Sequence, residues 1–251
     1  MIREKISNSQ QLGKKSLAVL IDPDKIKDEQ ALKYLVKISN ENYLDYFFVG
    51  GSLITTSNLS QIVEYIKSNS DIPVVLFPGS NMHIDSSADA ILFLSLISGR
   101  NPELLIGQHV VAAPIIKNSQ LEVLPTGYIL INSDRSTSVA YMSNTNPIPS
   151  DKYSIAASTA LAGELLGLQL IYLDSGSGGK PITPKMIAKV RKSVSIPIIV
   201  GGGIDTPGKA LDALDAGADI IVIGNAIEKN PNLLIEVSEK IYDRNNSLNI
   251  H

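Results

Sequence analysis

Between Ile198 and Asn225 the chain reads IIVGGGIDTPGKALDALDAGADIIVIGN, and few folds accommodate that order of elements. A short apolar strand runs into three glycines, a helix-start signal and a helix, then a second apolar strand and a second glycine turn. This is the spacing of the last two units of a (β/α)8 barrel, whose loops after strands seven and eight commonly hold a phosphate. Glycine suits such a loop because no Cβ keeps backbone N–H groups from phosphate oxygens. A helix N-terminus adds positive partial charge at the same place. Plain strand-to-helix turns use the same residues, so the stretch supports a phosphate site without requiring one.

The rest of the chain repeats the alternation of apolar run and helical pattern. Strands are predicted at Leu17–Ile21, Tyr46–Val49, Val74–Phe77, Ala90–Leu94, Tyr128–Ile131, Leu168–Leu173, Ile198–Val200 and Asp219–Ile223. Their near-continuous hydrophobicity fits parallel strands buried on both faces. Helices are predicted at Asp28–Ser39, Leu59–Ser68, Pro102–Ile116, Ile155–Leu166, Pro184–Val194, Thr206–Ala216 and Leu233–Tyr242. A length of 251 residues matches one such barrel, and no linker or charge block breaks it, so residues 1–251 are expected to form a single α/β, TIM-type domain.

Two segments depart from the alternation. PGSNMHIDSSAD (78–89) carries turn formers and no helical periodicity, so the third helix is expected to be replaced by an extended loop, baring apolar barrel side. A short irregular helix hidden there is the competing reading. The polar segment Ser136–Asn146 is read as an inserted loop or a short extra strand pairing with Leu121–Leu124.

Composition excludes several function classes. A net charge of −3 and 5% aromatic residues leave no electrostatic footprint or stacking platform for nucleic acid. Cysteine is absent, which removes disulfides and thiolate metal sites. The N-terminus MIREKISNSQQLGKKS lacks the apolar core of a signal peptide, and there is no apolar segment long enough to span a bilayer. The expected location is therefore cytoplasmic.

Candidate chemistry gathers at the ends of the strands, where barrels of this kind place their active sites. Asp22-Pro23-Asp24-Lys25 follows strand one; its carboxylates are hard oxygen donors suited to Mg²⁺, although Asp24 could equally cap a helix. Gly50-Gly51-Ser52 follows strand two with a hydroxyl and free amides. Tyr172-Leu173-Asp174-Ser175-Gly176-Ser177-Gly178-Gly179-Lys180 follows strand six: small residues that can form an anion nest, and a carboxylate able to act as a base. A merely flexible loop has the same composition. His83, His109 and His251 have no partner at metal-ligand spacing.

LIDPDK (20–25), VGGS (49–52), FPGS (77–80), YLDSGSGG (172–179), VGGGI (200–204) and IGN (223–225) together resemble the geranylgeranylglyceryl phosphate synthases and their bacterial prenylglyceryl phosphate synthase relatives. The motifs occur in the family's order from about Leu17 to Asn225, and SGRNPELLIGQHVVAAP (98–114) is similar to its second group. The resemblance implies a Mg²⁺-dependent prenyltransferase. The C3 hydroxyl of sn-glycerol 1-phosphate would attack carbon 1 of a prenyl diphosphate, most simply geranylgeranyl diphosphate, releasing pyrophosphate. It assigns Asp22 and Ser52 to the metal and Asp174 to the base. Tyr172, Leu173, Asp174, Ser175, Gly176, Ser177, Gly178, Gly202, Gly203, Gly224 and Asn225 fall to glycerol phosphate. It also implies a prenyl groove where the third helix is missing, a homo-oligomer (dimer or hexamer), and at most loose association with a membrane surface.

Two positions depart from the family pattern. Asp174 stands where Glu is frequent, and Leu20 stands where one branch has Lys, which leaves Lys25, Arg100 or Lys180 as candidate helpers for phosphate charge. The alternatives are a phosphosugar isomerase or aldolase, or a barrel that binds a phosphorylated ligand without turnover. An aldolase would want a strand-end Lys for a Schiff base, and the expected strand ends supply none.

Overall fold

Eight apolar runs become eight parallel strands in a computed structural model that describes residues 1–26 and 28–248. They are β1 (Ser16–Ile21), β2 (Tyr46–Gly51), β3 (Val74–Pro78), β4 (Ala90–Leu96), β5 (Glu122–Leu130), β6 (Leu170–Asp174), β7 (Ile198–Gly201) and β8 (Ile220–Ile223). Each pairs with the next, and β8 returns to β1 with Ser16 opposite Ile220, closing the barrel. Ten α-helices are described: α1 (Ile2–Gln11), α2 (Glu29–Glu41), α3 (Leu59–Asn69), α4 (Gly107–Asn118), α5 (Ser138–Ser143), α6 (Tyr153–Leu165), α7 (Pro184–Arg191), α8 (Pro207–Asp215), α9 (Asn225–Lys229) and α10 (Asn232–Ser247). His251 lies outside the described residues.

Strand alternation sorts the apolar side chains into two cores. Phe47, Val49 and Ile91 face the helices, whereas Tyr46, Phe48, Phe77, Leu92, Tyr128 and Tyr172 fill the barrel. The rings of Phe77, Tyr128 and Tyr172 form one cluster with centroid separations of 5.3–6.1 Å, Phe77 and Tyr172 stacked and Tyr128 tilted against both. Ile2 and Ile6 of α1 join this inner core, so α1 stoppers the N-terminal end of the barrel. Glu122 fixes it by accepting the Ile2 and Arg3 N–H groups at 2.6 and 2.9 Å. Helix starts follow the local signals: Asp28, Thr183 and Thr206 each accept a backbone N–H of the first turn, with Pro184 and Pro207 next in line.

No helix joins β3 to β4, as the turn-rich segment led us to expect. Side chains order the loop instead. Ser60 of α3 donates to Asp85, Asp89 accepts from Val74 N–H at 2.8 Å and from Lys67 at 2.6 Å, and His83 Nδ1 accepts from Gly79 N–H at 3.2 Å. Burial pushes the His83 pKa down, which keeps that nitrogen free to accept.

Two expectations are corrected. Leu121–Leu124 does not pair with an extra strand: from Glu122 onward it is the start of β5, in register with β4 from Ala90. Within β5 the Pro125 carbonyl accepts from Gln169 N–H at 2.9 Å, and Gly127 admits the Ile97 and Leu168 side chains. Ser136–Asn146 contains α5, capped by the Thr137 hydroxyl and ended by Asn144 in the left-handed conformation. The helix expected over Pro102–Ile116 is split into a 3-10 turn (Pro102–Leu104) and α4.

Candidate active site

The C-terminal ends of β1, β2, β6, β7 and β8 converge, and nearly every residue singled out in the sequence lies there. After β1 a 3-10 turn (Pro23–Lys25) begins with Asp22, whose Oδ1 accepts the Asp24 N–H at 3.1 Å. Its carboxylate lies against Gly51, about 3.5 Å from where a Cβ would stand, one residue from Ser52. Asp22 and Ser52 thus offer two hard oxygens at adjacent strand ends. That donor number suits Mg²⁺, which usually keeps waters and takes substrate phosphates for its remaining positions. Among the described residues no cluster of three or more His, Asp or Glu forms a self-sufficient metal cage. The fit is to an ion shared with a substrate.

Asp24 is not part of this donor set. Its carboxylate accepts four groups, the N–H and hydroxyl of both Thr55 and Thr56, at 2.7–3.0 Å. Partial burial opposes the ion, but these hydrogen bonds outweigh it and bring its pKa to about 2. Asp24 ties the β1 loop to the β2 loop.

Asp174 ends β6 beside the inner aromatic cluster. Oδ1 accepts the Gly176 N–H at 2.8 Å, and Oδ2 accepts the Tyr128 hydroxyl. Burial raises its pKa above the ordinary carboxylate range; the hydrogen bonds from Tyr128, Gly176 and Ser175 offset only part of that rise. The result is a half-buried carboxylate more basic than a surface aspartate. Tyr172, by contrast, buries its ring in the barrel, and its hydroxyl would lie 2.6 Å from a Cβ on Gly201.

The glycines after β6 and β7 pack as one unit. Gly176, Gly178, Gly202 and Gly203 all have positive φ, between 68° and 85°. A Cβ on Gly202 would overlap the Ser175 hydroxyl and come within 2.8 Å of Asp174 Oδ1, and one on Gly203 would strike the Gly179 carbonyl at 2.5 Å. The Ser175 hydroxyl is buried without a hydrogen-bond partner among the described residues. From β8, Gly224 leads into α9, and Asn225 Nδ2 donates to Ser177 Oγ. Glycine turns and small hydroxyls of three loops therefore lie against one another at this edge, a composition suited to a phosphate cradle.

Sequence reasoning missed the loop after β5. Thr137 lies over Gly176, Ser133 over Gly179, and Arg135 Nη1 donates to the Gly178 carbonyl at 2.8 Å. This loop clasps the glycine loop from above; only its position after a strand end could have flagged it. Of the three candidate basic helpers, Lys25 reaches Asp22 and Asn225, while Lys180 pairs with Asp134 at 2.7 Å. Arg100 lies at a separate cavity of about 390 Å³ after β4 and donates to the Ile97 carbonyl.

A narrow apolar groove runs down the barrel side where β3 and β4 have no intervening helix. Ile84, Ile91, Phe93, Leu104, Ala112 and Ile116 line it, and Pro78 to Asn81 form its upper end. Gly79 there has the Ser52 carbonyl 2.7 Å from its would-be Cβ, so this end of the groove packs against the β2 strand end that leads into Ser52. His109 packs edge-on to Phe93 with ring centroids 4.6 Å apart, and burial lowers its pKa, so the groove carries no charge from it.

The family model of the PcrB family matches residues 10–241. The geranylgeranylglyceryl phosphate synthase of Spirosoma linguale is 53% identical over 94% of this chain and 95% of its own length. That of Chitinophaga pinensis is 54% identical over 92% of this chain and 91% of its own. Among solved structures, (S)-3-O-geranylgeranylglyceryl phosphate synthase from Thermoplasma acidophilum, in complex with sn-glycerol-1-phosphate, superposes with a TM-score of 0.90 at 31% identity. That match covers 97% of this chain and 99% of the other.

Proposed function

The chain belongs to the PcrB family and is a prenyltransferase, and from that premise we propose that it joins a prenyl diphosphate to the C3 hydroxyl of sn-glycerol 1-phosphate. The observation that supports this reading is a half-buried Asp174 with a raised pKa packed against the glycine loops after β6 and β7, in a barrel whose β3–β4 side carries an apolar groove. Glycerol phosphate would lie with its phosphate on the amides of Ser175 to Gly178, Gly202, Gly203, Gly224 and Asn225. Its C3 hydroxyl would then face Asp174. As the oxygen forms its bond to prenyl carbon 1, the bond from that carbon to the diphosphate breaks, and the hydroxyl proton passes to Asp174. Tyr128 holds the carboxylate in place through its hydroxyl. The prenyl tail, geranylgeranyl in our reading, lies in the groove, where each buried CH₂ is worth about 0.8 kcal/mol. Asp22 and Ser52 would hold Mg²⁺, which when bound supplies positive charge to the leaving diphosphate.

Apolar side chains on α4 and at the C-terminal end of α6, among them Val110, Val111, Ile115, Leu165 and Leu166, are exposed. We read this face as the contact of a homo-oligomer, a dimer or hexamer. No described helix is long and apolar enough to cross a membrane. We place the enzyme in the cytoplasm, in at most loose contact with a membrane surface.

The test is product formation from geranylgeranyl diphosphate, Mg²⁺ and sn-glycerol 1-phosphate, beside the 3-phosphate enantiomer and a chelator control. A metal-dependent ether from the 1-phosphate supports the reading; no ether with any prenyl length refutes it. In the same assay Asp22→Asn is expected to raise the Mg²⁺ concentration for half-maximal rate by about tenfold or more, because a neutral amide is a poor ligand for a hard cation. An unchanged Mg²⁺ dependence would remove Asp22 from the metal site.

Tyr128→Phe tests the hydrogen bond on the base. That bond favours the ionised carboxylate, so its loss raises the Asp174 pKa further. The acid limb of kcat/KM should move to higher pH, with activity lost first at low pH where Asp174 is protonated. A profile superimposable on that of the wild type would contradict the assignment.

A further inference from the structure

Lys25 stands where the parts of the site meet. Its backbone N–H donates to the Asp22 carbonyl at 3.0 Å, closing a turn that folds the side chain back over Asp22. The ammonium lies 3.0 Å from Asp22 Oδ2 and donates to Asn225 Oδ1 at 2.6 Å. Asn225 in turn donates through Nδ2 to Ser177. One cation therefore links the proposed metal carboxylate after β1 to the proposed phosphate cradle after β6 and β8. The pair is 38% and 19% exposed on its two side chains, so it contributes little to folding and its placement calls for another reason.

Both Asp22 oxygens are engaged: Oδ1 by the Asp24 N–H, Oδ2 by Lys25. A metal ion binding directly at Oδ2 must displace the ammonium, since the two share a sign and the same oxygen. The displaced ammonium keeps Asn225 and therefore turns toward the cradle. The cradle residues bring no cation of their own. Arg135 is given to the Gly178 carbonyl and Lys180 to Asp134.

We propose that Lys25 exchanges partners during the binding sequence, holding Asp22 before the metal arrives and the phosphate of sn-glycerol 1-phosphate afterwards. This rests on the glycerol phosphate reading above. Metal and glycerol phosphate then bind cooperatively, because each favours the same position of Lys25, and the coupling is reciprocal.

The experiment uses Mn²⁺ as a spectroscopic stand-in for Mg²⁺, read by electron paramagnetic resonance, and calorimetry for sn-glycerol 1-phosphate with and without the metal. In the wild type the metal should tighten glycerol phosphate binding. In Lys25→Gln, Mn²⁺ alone should bind several-fold more tightly because its competitor is gone. Glycerol phosphate in the presence of Mn²⁺ should lose about tenfold in affinity, the size of one charge-assisted hydrogen bond. Lys25→Arg should retain the coupling. Unchanged Mn²⁺ and glycerol phosphate affinities in Lys25→Gln, with normal wild-type binding, would overturn the role of Lys25 alone. A wild type that fails to bind sn-glycerol 1-phosphate would overturn the parent reading and this one with it.

Discussion

Asp174→Asn is expected to lower kcat by about a thousandfold, the scale of a lost general base, while sn-glycerol 1-phosphate binding changes by no more than a few-fold. The amide keeps the shape of the carboxylate. Its oxygen can still accept the Gly176 N–H, and its NH₂ can donate to a Tyr128 hydroxyl that turns to accept. What the variant lacks is a site for the proton released as the ether forms. Burial matters to the size of the effect. It holds the Asp174 pKa above the ordinary carboxylate range, so the native group is a stronger base than a surface aspartate. The same shift predicts an acid limb in the wild-type rate profile above that range, since the group acts only when deprotonated. Stopped turnover with intact calorimetric binding is the expected pair of results. Near-normal turnover would remove Asp174 from the mechanism, and loss of binding together with turnover would make it a structural support of the cradle.

Gly50→Ala should destabilise the barrel by at least about 3 kcal/mol, beyond the usual range for one methyl group. The residue has φ +147°, a conformation that side chains rarely adopt. Its Cβ would overlap the Phe77 carbonyl, with the carbonyl carbon 2.7 Å away. That carbonyl belongs to β3, paired with Gly50 in the ladder, so neither strand can yield without breaking register. For a chain of this size the loss corresponds to a melting temperature lower by roughly 10 °C. Activity should fall with it, because Gly51 and Ser52 continue the same strand end. Gly208→Ala is the control: its Cβ meets nothing within 4 Å, and its position in α8 tolerates a side chain. Equal melting of Gly50→Ala and the wild type would show that the strands can part without cost.

How much of this was legible beforehand depended on the range of the interaction that decides each feature. The order of the eight strands, the helices beginning near Asp28, Pro184 and Thr206, and the absent helix after Phe77 follow from local pattern. The β5 misreading shows the limit. Pro125 and Gly127 are turn-forming residue types, and pairing with β4 on one side and with the β6 segment on the other holds them extended. The strand-end motifs were legible, whereas the contacts that each residue makes were not. Asp22 and Asp24 are two residues apart and chemically alike, yet Asp24 is drawn off by Thr55 and Thr56.

What the sequence by itself determined is the barrel, because apolar period and glycine punctuation act within a few residues. It also determined the set of small and acidic residues at the strand ends. Tertiary structure decided what those residues do. Burial beside Tyr128 raises the Asp174 pKa, and the β5 loop clasps the glycine loop through Arg135. Lys25 reaches Asn225, 200 positions away. Burial and hydrogen bonds between distant loops depend on closure of the ring of strands, and no local pattern encodes which loop ends meet across its mouth.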